Sequence, residues 1–498
     1  MKLKHIAFAI AGMSFSLLAN ALTPAQIEAA RSAGTLQQAW ISGATAPTKT
    51  IYEAWSRGCN QAQAKSIYTT IAATDANGNP TSNVPGSLGN YVAYACTRGN
   101  TPSVLYVTLD GGSLNAYTPH TINAKLARIR YAGTALNTAN GCASTTTSYT
   151  DATDTRNNAT VYKQCKQVGS NLPATGPTPA TNAANAAAVA ADANAPQLPV
   201  GGFSDVEAAL FPASIGGGSL AGKGTEANAG LLQGFGVAVS VPLYRKLQEV
   251  QGITETSGFD VANAPSLTKA QITTILQDGG AVSAAESWAP IFGADNTGEE
   301  AVIVQRRVDT SGTQASSNAF FMGNPCLGNA SQLIPAATTS GAYQVVLNSG
   351  SGNVKGNITT ATTNNRFAIG VLSLENDYRV ESAANAGYRF IKIDGVHPED
   401  GDTTNARVAM ASGKYPFAME LKTFVSSNPV FGAANSFART IVPTLATALK
   451  NPAAAQCALL PRGIALTADG GNTSCEAGVT RAVLTKFGKN CAPAVLFE

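Results

Sequence analysis

The sequence predicts an α/β fold, because short apolar runs alternate with segments of helical spacing. Residues 36–42, 104–108 and 301–304 are apolar or β-branched and are typical of buried strands. Each run leads into a turn of small polar residues. In open α/β sheets, ligands bind outside the carboxyl ends of the strands. These turns are therefore candidates for one shared binding site.

The most distinctive turn is Arg-Val-Asp-Thr-Ser-Gly-Thr at residues 307–313, between the strand at 301–304 and a helix predicted over 314–322. A helix start offers unpaired backbone N–H groups and the positive end of the helix dipole. Gly312 allows a ligand to approach closely, and Arg307 adds further donors. The turn therefore predicts an oxyanion-binding site.

Local structure offers a simpler explanation for two serines at such turns. Ser311 followed by Gln314 fits a capping box, and so does Ser204 followed by Glu207. Taken singly, each serine is better explained as a helix cap than as a ligand-binding residue.

Three further turns have the same character. Residues 43–46 precede a helix predicted over 47–58, residues 110–113 follow a strand, and residues 201–205 precede a helix predicted over 206–211. The other predicted elements are strands at 237–241, 367–374 and 389–393, a helix at 267–276 and an extended segment at 415–424.

The first residues predict a secretory signal peptide. Lys2 and Lys4 precede an apolar stretch at 6–18, and residues 19–21 (Ala-Asn-Ala) have the form of a cleavage site. The apolar stretch is too short to span a bilayer, and no other long uncharged apolar run follows it. We expect residues 1–21 to be removed, which leaves a periplasmic or secreted chain without membrane insertion.

Eight cysteines, an even number in an exported chain, predict structural disulfides. Cys59 with Cys96 and Cys142 with Cys165 are candidate local pairs, and the tail should be held by its three cysteines. The chain has no Cys-x-x-Cys motif and three histidines, so we predict neither a metal site nor a cofactor.

Residues 143–200 differ in composition from the rest of the chain. Ala, Asn, Thr, Ser and Pro dominate this segment, which is typical of a mobile surface insertion. The alternative is a partly helical, Ala-rich excursion over 183–193.

Enzyme and nucleic-acid functions fit the sequence poorly. The net charge of +3 gives no broad attraction for nucleic acid. Residues 217–223 approach a P-loop, but Gly224 stands where Ser or Thr would hold magnesium. His120 and His397 are not accompanied by the Gly-x-Ser-x-Gly motif of a hydrolase. We therefore expect a protein that is not an enzyme.

The turn at 307–313 matches Arg-x-Asp-x-Ser-Gly-Thr, a motif of the periplasmic phosphate-binding proteins of ABC importers. Residues 43–47, with Tyr52 and Trp55, are similar to that family's Gly-Ala-Thr-Phe-Pro segment and its Tyr-x-x-Trp, and residues 203–205 are similar to its Ser-Asp turn. The motifs stand in the family's order. The chain thus resembles this family, which implies a two-lobed type II periplasmic-binding-protein fold with a hinged cleft.

The resemblance also implies roles for individual residues. Asp205 would accept a hydrogen bond from the proton of phosphate, and Asp309 would orient Arg307. A buried carboxylate facing an oxyanion needs a proton between them, so phosphate would be preferred over sulfate. The implied phosphate-binding residues are Thr45, Ala46, Ser113, Asp205, Arg307, Ser311, Gly312 and Thr313.

The implied lobes are residues 22–235 together with 425–498, and residues 236–424. Closure around a phosphate ion that contacts both lobes is the expected mechanism. Delivery to an ABC permease would make the chain a phosphate-uptake protein. The chain departs from the family at Ala46, where the family has Phe, and in its long insertion. The alternative is therefore a secreted or surface-associated interaction protein on the same scaffold, with phosphate binding secondary or lost.

Overall fold

The computed structural model describes fourteen ranges of the chain. The predicted leader up to residue 20 and most of the segment at 143–200 lie outside them. The described residues are 21–69, 90–124, 126–129, 147–149, 160–164, 167–169, 198–254, 260–277, 302–327, 343–381, 387–450, 460–467, 484–492 and 495–496.

Helices and strands alternate along the described residues. None of the described helices is long and apolar enough to cross a membrane. The α-helices are α1 Pro24–Ser32, α2 Thr48–Arg57, α3 Thr118–Thr121, α4 Val241–Val250, α5 Lys269–Gln277, α6 Gly312–Met322, α7 Ser351–Thr363, α8 Tyr378–Glu381, α9 Val408–Ala411 and α10 Phe437–Lys450. Short 3-10 turns occupy Ser113–Ala116, Ala208–Leu210, Ala213–Ile215 and Pro429–Phe431.

The strands are β1 Gln37–Gly43, β2 Lys65–Thr69, β3 Tyr91–Arg98, β4 Thr101–Thr108, β5 Ala127–Ile129, β6 Thr147–Tyr149, β7 Thr160–Gln164, β8 Gln167–Gly169, β9 Gly201–Ser204, β10 Gly224–Ser240, β11 Ser266–Leu267, β12 Val302–Arg307, β13 Tyr343–Asn348, β14 Ala368–Ser373, β15 Tyr388–Phe390, β16 Lys392–Ile393, β17 Ala418–Ser426, β18 Ile464–Leu466, β19 Leu484–Thr485 and β20 Val495–Leu496. Fourteen of them form one sheet in the order β13-β12-β14-β10-β17-β9-β1-β4-β3-β2-β7-β6, with β15 and β18 also paired to β10.

The sheet has two halves that meet along β10. In the first half β1, β4 and β9 are parallel, and in the second half β12, β13 and β14 are parallel. Residues of β10 up to Gly234 pair with β17, and those from Phe235 onward pair with β14. This division agrees with the two-lobed architecture that we predicted, and the α/β class is confirmed. The boundaries of the two lobes stay a prediction.

The strand directions make the carboxyl edges of the two halves face each other. Strand β9 is antiparallel to β17 and ends at Ser204, which lies across from Lys422 and hence from Asn228 of β10. Strand β14 is antiparallel to β10 and ends at Ser373, across from Phe235. The two edges therefore approach each other over the part of β10 between Asn228 and Phe235. A ligand held there would touch loops from both halves.

Most predicted elements correspond to observed ones. The strands predicted at 36–42, 104–108 and 301–304 are β1, β4 and β12, and the helices predicted at 47–58 and 314–322 are α2 and α6. The remaining predicted strands and the extended segment overlap β10, β14, β15 with β16, and β17, and the predicted helix at 267–276 overlaps α5.

The helix predicted over 206–211 is wrong. A 3-10 turn at Ala208–Leu210 replaces it, and Phe211 is extended, with φ −96° and ψ 149°. Phe211 precedes Pro212, which disfavours the helical conformation. Glu207 does not act in a capping box either, because its carboxylate accepts hydrogen bonds from the backbone and side-chain amides of Asn490 at 2.8 and 2.7 Å.

Part of the segment predicted as a surface insertion belongs to the sheet. Strand β7, Thr160–Gln164, pairs in parallel with all five residues of β2. The predicted excursion at 183–193 lies outside the described residues.

Two disulfides are present among the described cysteines. The predicted bond between Cys59 and Cys96 is confirmed, with a Cα–Cα distance of 5.8 Å. A second bond joins Cys326, just after α6, to Cys491 in the tail, which confirms the expectation for one of the three tail cysteines. Cys457 and Cys475 lie outside the described residues. The candidate pair Cys142 and Cys165 lies outside the described residues.

Candidate functional site

The loops that follow the facing carboxyl edges bring together polar side chains from both halves. From the first half come Ser113, after β4, and Asp205, directly after β9. From the second half come Arg307, the last residue of β12, and Gly312, the first residue of α6. We call these four residues the cleft cluster. All three of its side chains are buried.

Direct contacts join the two sides of the cleft cluster. The Ser113 hydroxyl donates a hydrogen bond of 2.8 Å to Asp205 Oδ2. A Cβ atom placed on Gly312 would overlap both Asp205 Oδ2 and Ser113 Oγ. Glycine at this position therefore lets the carboxylate and the hydroxyl lie against the first turn of α6.

A second contact lies beside the first. Gly112 has φ +80°, a conformation that favours glycine, and a Cβ there would be 3.1 Å from the carbonyl oxygen of Thr310. The same carbonyl accepts a 3.1 Å hydrogen bond from the Leu114 amide. The turn after β4 is thus docked on the turn before α6.

Asp205 is the buried acceptor of the cleft cluster. The residue is 5% exposed, and its Oδ1 atom is buried without a hydrogen-bond partner among the described residues. Burial raises the pKa of the carboxyl to about 6, although the Ser113 hydrogen bond and the charge of Arg307 oppose this rise. An unsatisfied buried carboxylate oxygen is rare and points to a missing partner.

The start of α6 supplies donors that have no acceptor among the described residues. Ser311 occupies the N-cap position in extended conformation, and its side chain makes no capping hydrogen bond. The capping box predicted from Ser311 and Gln314 is absent, because Gln314 Oε1 accepts from the Arg307 amide at 3.0 Å. By helix geometry the amides of Gly312, Thr313 and Gln314 point out of the helix start. Ser311 is therefore the N-cap residue by position, as predicted, but its side chain does not make the capping hydrogen bond.

Arg307 is held by the end of the loop after β13 and the first residue of α7. Its Nη1 donates to Ser351 Oγ at 2.9 Å and its Nη2 to the Ser349 carbonyl at 3.2 Å, while Nε is buried with no hydrogen-bond partner among the described residues. Burial lowers the pKa of the guanidinium, and the charges of Asp205 and Glu375 act against that shift. The side chain is oriented, charged and incompletely satisfied, which suits it to bind an anion.

Asp309 does not orient Arg307, contrary to our expectation. Asp309 Oδ1 instead pairs with Nη2 of the neighbouring Arg306. Successive residues of a strand point to opposite faces, so Arg306 and Arg307 diverge, and the turn brings Asp309 back to the side of Arg306. Arg307 is positioned by Ser349 and Ser351 in its place.

Thr45 and Ala46 lie at the carboxyl end of β1, on the same edge as Ser113 and Asp205. Thr45 is exposed and Ala46 is buried. The Thr45 carbonyl accepts from the Thr48 amide at 3.1 Å. In the described part of the chain, neither residue makes a hydrogen bond to the cleft cluster. Thr45 and Ala46 therefore share the sheet edge of Ser113 and Asp205 but are not hydrogen-bonded to them.

The remaining predicted residues, Ser311 and Thr313, lie directly at the start of α6. Both are buried. The Thr313 carbonyl accepts a 2.8 Å hydrogen bond from the Ser317 hydroxyl inside the helix. The hydroxyls of Ser311 and Thr313 make no hydrogen bond within the described residues, so both remain available as donors.

Glu375 is an acidic residue near the cluster that sequence reasoning missed. It follows β14 at the carboxyl edge of the second half, two residues after Ser373. Burial raises its pKa to about 7, repulsion from Asp205 adds to the rise, and Ser373, Lys355 and Arg307 act against it. The feature of the sequence that could have identified Glu375 is its position directly after the strand predicted at 367–374.

The two histidines are structural. His397 Nε2 lies 3.2 Å from the Phe390 carbonyl, and its Nδ1 accepts from the Glu399 amide at 3.2 Å. His120 packs against the rings of Phe424 and Phe431. Burial lowers the pKa of His397 to about 3 and that of His120 to about 4, so both are neutral near pH 7.

The P-loop-like segment is not a P-loop. A P-loop leads into a helix whose N-terminus binds phosphate. Here Gly224 begins strand β10.

Comparisons with known proteins give a weak likeness in fold. No family model matches the chain, and no curated protein matches it. Several solved structures are similar, among them the following two. One, assigned as a phosphate ABC transporter substrate-binding protein with bound phosphate from Clostridium perfringens, has 11% identity over 83% of this chain and 93% of its own, with a TM-score of 0.34. The other, a possible phosphate-binding protein from Planctomyces limnophilus, has 11% identity over 78% and 82%, with a TM-score of 0.27. At these values neither likeness carries an argument about the function of this chain.

Proposed function

We propose that the chain is an exported solute-binding protein that binds inorganic phosphate between the two halves of its sheet. One observation carries the proposal. Asp205, 5% exposed and with Oδ1 unpartnered, lies against the uncapped start of α6. A ligand that satisfies both sides must accept hydrogen bonds from the helix amides and Arg307, and must also donate one to the carboxylate. A protonated oxyanion has both properties.

Phosphate fits these requirements better than sulfate. Near neutral pH phosphate carries a proton that it can donate to Asp205, whereas sulfate carries none. Sulfate would place two unscreened negative groups together in a buried site, which costs several kcal/mol. Arsenate has the same protonated form and should also bind. Asp205 is thus the selective element, and Arg307 with the α6 amides supplies the binding energy.

The test is a titration of the mature protein with phosphate and with sulfate, after endogenous ligand has been stripped by unfolding and refolding. We expect phosphate to bind at least about 100-fold more tightly, because a site built to receive a proton rejects a ligand that lacks one. Asp205→Asn should reduce the difference in affinity between phosphate and sulfate, since the amide can donate a hydrogen bond to either anion. Equal affinities of the wild type for the two anions would refute the assignment.

The proposal includes a place for the protein in the cell. After removal of residues 1–21 the chain would be periplasmic or secreted and would deliver phosphate to an ABC permease. Deletion of its gene should then slow growth in low phosphate. Normal growth, with the protein recovered from the culture supernatant, would support the alternative of a secreted or surface interaction protein.

A further inference from the structure

Resting on the proposed function, we propose that Glu375 is a second proton acceptor of the binding site, so that the site binds phosphate with two protons and not with one. Asp205 would receive one P–OH group and Glu375 the other. The remaining phosphate oxygens would face Arg307 and the amides at the start of α6.

The position of Glu375 follows from the topology. Strands β12 and β14 are parallel neighbours, so Arg307 at the end of one and Glu375 just after the other lie at the same carboxyl edge. The opposite edge carries Asp205. Strand β14 ends across from Phe235 and strand β9 across from Asn228 of β10, so the two acceptors lie on facing edges of the sheet. The charge of Asp205 also contributes to the raised pKa of Glu375.

Glu375 has an unsatisfied oxygen, as Asp205 does. The residue as a whole is half-buried, but its Oε2 atom is fully covered and has no hydrogen-bond partner in the described residues. The two facing carboxyl groups therefore each keep one buried oxygen without a partner. Two such atoms around one arginine call for a ligand with two donors.

The residues on both sides of Glu375 are firmly anchored. The Leu374 amide donates to the Gly234 carbonyl at 3.0 Å, the Leu374 carbonyl accepts from Arg462 Nη1, and Asn376 Nδ2 donates to the Ser373 carbonyl at 2.9 Å. The backbone at Glu375 is thus tied to β10, the strand over which the cleft lies. A side chain that carries an unpaired oxygen on an anchored backbone is typical of a binding residue.

Burial and the surrounding charges together affect the protonation of Glu375. Burial is the main cause that raises its pKa, and the charge of Asp205 adds to it, whereas Ser373, Lys355 on α7 and Arg307 favour the ionised form. Beyond these, Arg462 contacts the adjacent Leu374 but is engaged by Glu399 and Asp377. One arginine facing two carboxylates cannot hold a phosphate dianion well if both carboxylates are ionised. Binding should therefore be coupled to proton uptake.

Proton uptake at pH 8 measures the number of acceptors. Free phosphate then carries mainly one proton, and a complex in which each carboxylate receives a P–OH group requires two. The wild type should take up about one proton per phosphate bound, and its affinity should fall about tenfold per pH unit between pH 7.5 and 8.5. Glu375→Gln leaves Asp205 as the one acceptor, and the single proton that phosphate carries at pH 8 satisfies it. Proton uptake by this variant should therefore be close to zero, and its phosphate affinity should stay constant within about twofold between pH 7.5 and 8.5.

The experiment is calorimetric titration with inorganic phosphate in buffers of different ionisation enthalpy, on the stripped mature protein. Glu249→Gln, at a side chain of α4 that is 70% exposed, is the matched control and should behave as the wild type. If the wild type binds phosphate but takes up no proton at pH 8, or if Glu375→Gln takes up as much as the wild type, the inference is overturned while the proposed function stands. If the wild type binds no phosphate at any pH, the proposed function itself fails.

Discussion

Two buried charge clusters in this molecule differ in how completely their hydrogen bonds are satisfied. In the first, Glu399 is fully buried and both of its oxygens are paired. Arg379 binds both oxygens, Arg462 binds Oε1 and the Tyr378 hydroxyl binds Oε2. In the second, the cleft cluster, Asp205 keeps one buried oxygen without a partner.

The difference separates structural from functional use of buried charge. A buried carboxylate with all its hydrogen bonds made stabilises a unique packing. A buried carboxylate that lacks hydrogen-bond partners lowers the stability of the fold. Such a group is found where a ligand supplies the missing partner. We therefore expect changes in the Glu399 cluster to affect folding and changes in the cleft cluster to affect binding.

The largest effect on stability is expected for Glu399→Ala. Removing this carboxylate leaves Arg379 and Arg462 without their buried partner, which typically costs about 3–5 kcal/mol. Urea denaturation measures the loss, and Glu249→Ala on the exposed face of α4 is the control, expected to cost less than about 1 kcal/mol. A loss in Glu399→Ala as small as in the control would remove the basis of the comparison.

Gly312→Ala should act on binding and not on folding. The added Cβ would overlap Asp205 Oδ2 and Ser113 Oγ, so the acceptor would move away from the helix start. We expect phosphate affinity to fall about 10- to 100-fold, because the ligand could no longer reach both sides.

The matched control for Gly312→Ala is Gly356→Ala in α7, where a Cβ meets no atom within 4 Å. This change should raise stability by about 0.5–1 kcal/mol through helix propensity and leave affinity unchanged. Similar affinities in the two variants would show that the close approach at Gly312 is not used.

The two clusters should respond to pH in opposite directions. The pKa of Asp205 is raised from 3.8 to about 6 and that of Glu375 from 4.5 to about 7. The folded state therefore binds more protons than the unfolded state in these windows, and stability falls as pH rises through them. His397 in the Glu399 cluster has its pKa lowered from 6.5 to about 3, so its contribution is lost as pH falls through that window.

A double variant, Asp205→Asn with Glu375→Gln, isolates the cleft contribution. Without ligand at pH 8 it should be more stable than the wild type by about 1–3 kcal/mol, because two unsatisfied ionised groups are removed. The gain should shrink toward pH 5, where the wild-type carboxyls are protonated. Denaturation midpoints at both pH values measure it, and a double variant less stable than the wild type at pH 8 would contradict the assignment.

The smallest effect on phosphate binding is expected for Asp309→Ala. Its side chain is 47% exposed, but its partner Arg306 is 3% exposed, so the loss of stability should be about 1–3 kcal/mol, with phosphate affinity changed by less than twofold. A large loss of affinity in calorimetry would mean that Asp309 orients Arg307 after all.

Sequence reasoning could predict the turns but not their contacts. The strand–turn–helix unit around residues 307–313 was predictable because apolar periodicity, a glycine and a helix start all agree there. The choice of Arg306 as the partner of Asp309 depends on how the chain bends after β12, which no periodicity encodes. Glu375 was missed because its role depends on β14 lying beside β12, a neighbour relation that the sequence order hides.

Tertiary contacts also decided the local failures. The helix predicted over 206–211 does not form because Pro212 disfavours it and because Glu207 accepts hydrogen bonds from Asn490, almost three hundred residues later in the chain. The disulfide between Cys326 and Cys491 could not be predicted for the same reason, since cysteine positions alone do not determine which cysteines pair. The local pair Cys59 and Cys96 was predictable because its strands and helix are close in sequence.

The central claim is that the unsatisfied groups of the cleft cluster exist to bind phosphate, and calorimetric titration of stripped protein tests it most directly. The wild type should bind one phosphate. Arg307→Ala should lose at least about 100-fold in affinity, because charge-assisted hydrogen bonds are removed, while the neighbouring control Arg306→Ala should keep its affinity. A wild type that binds no phosphate, or an Arg307→Ala variant that binds as well as the wild type, would contradict the account.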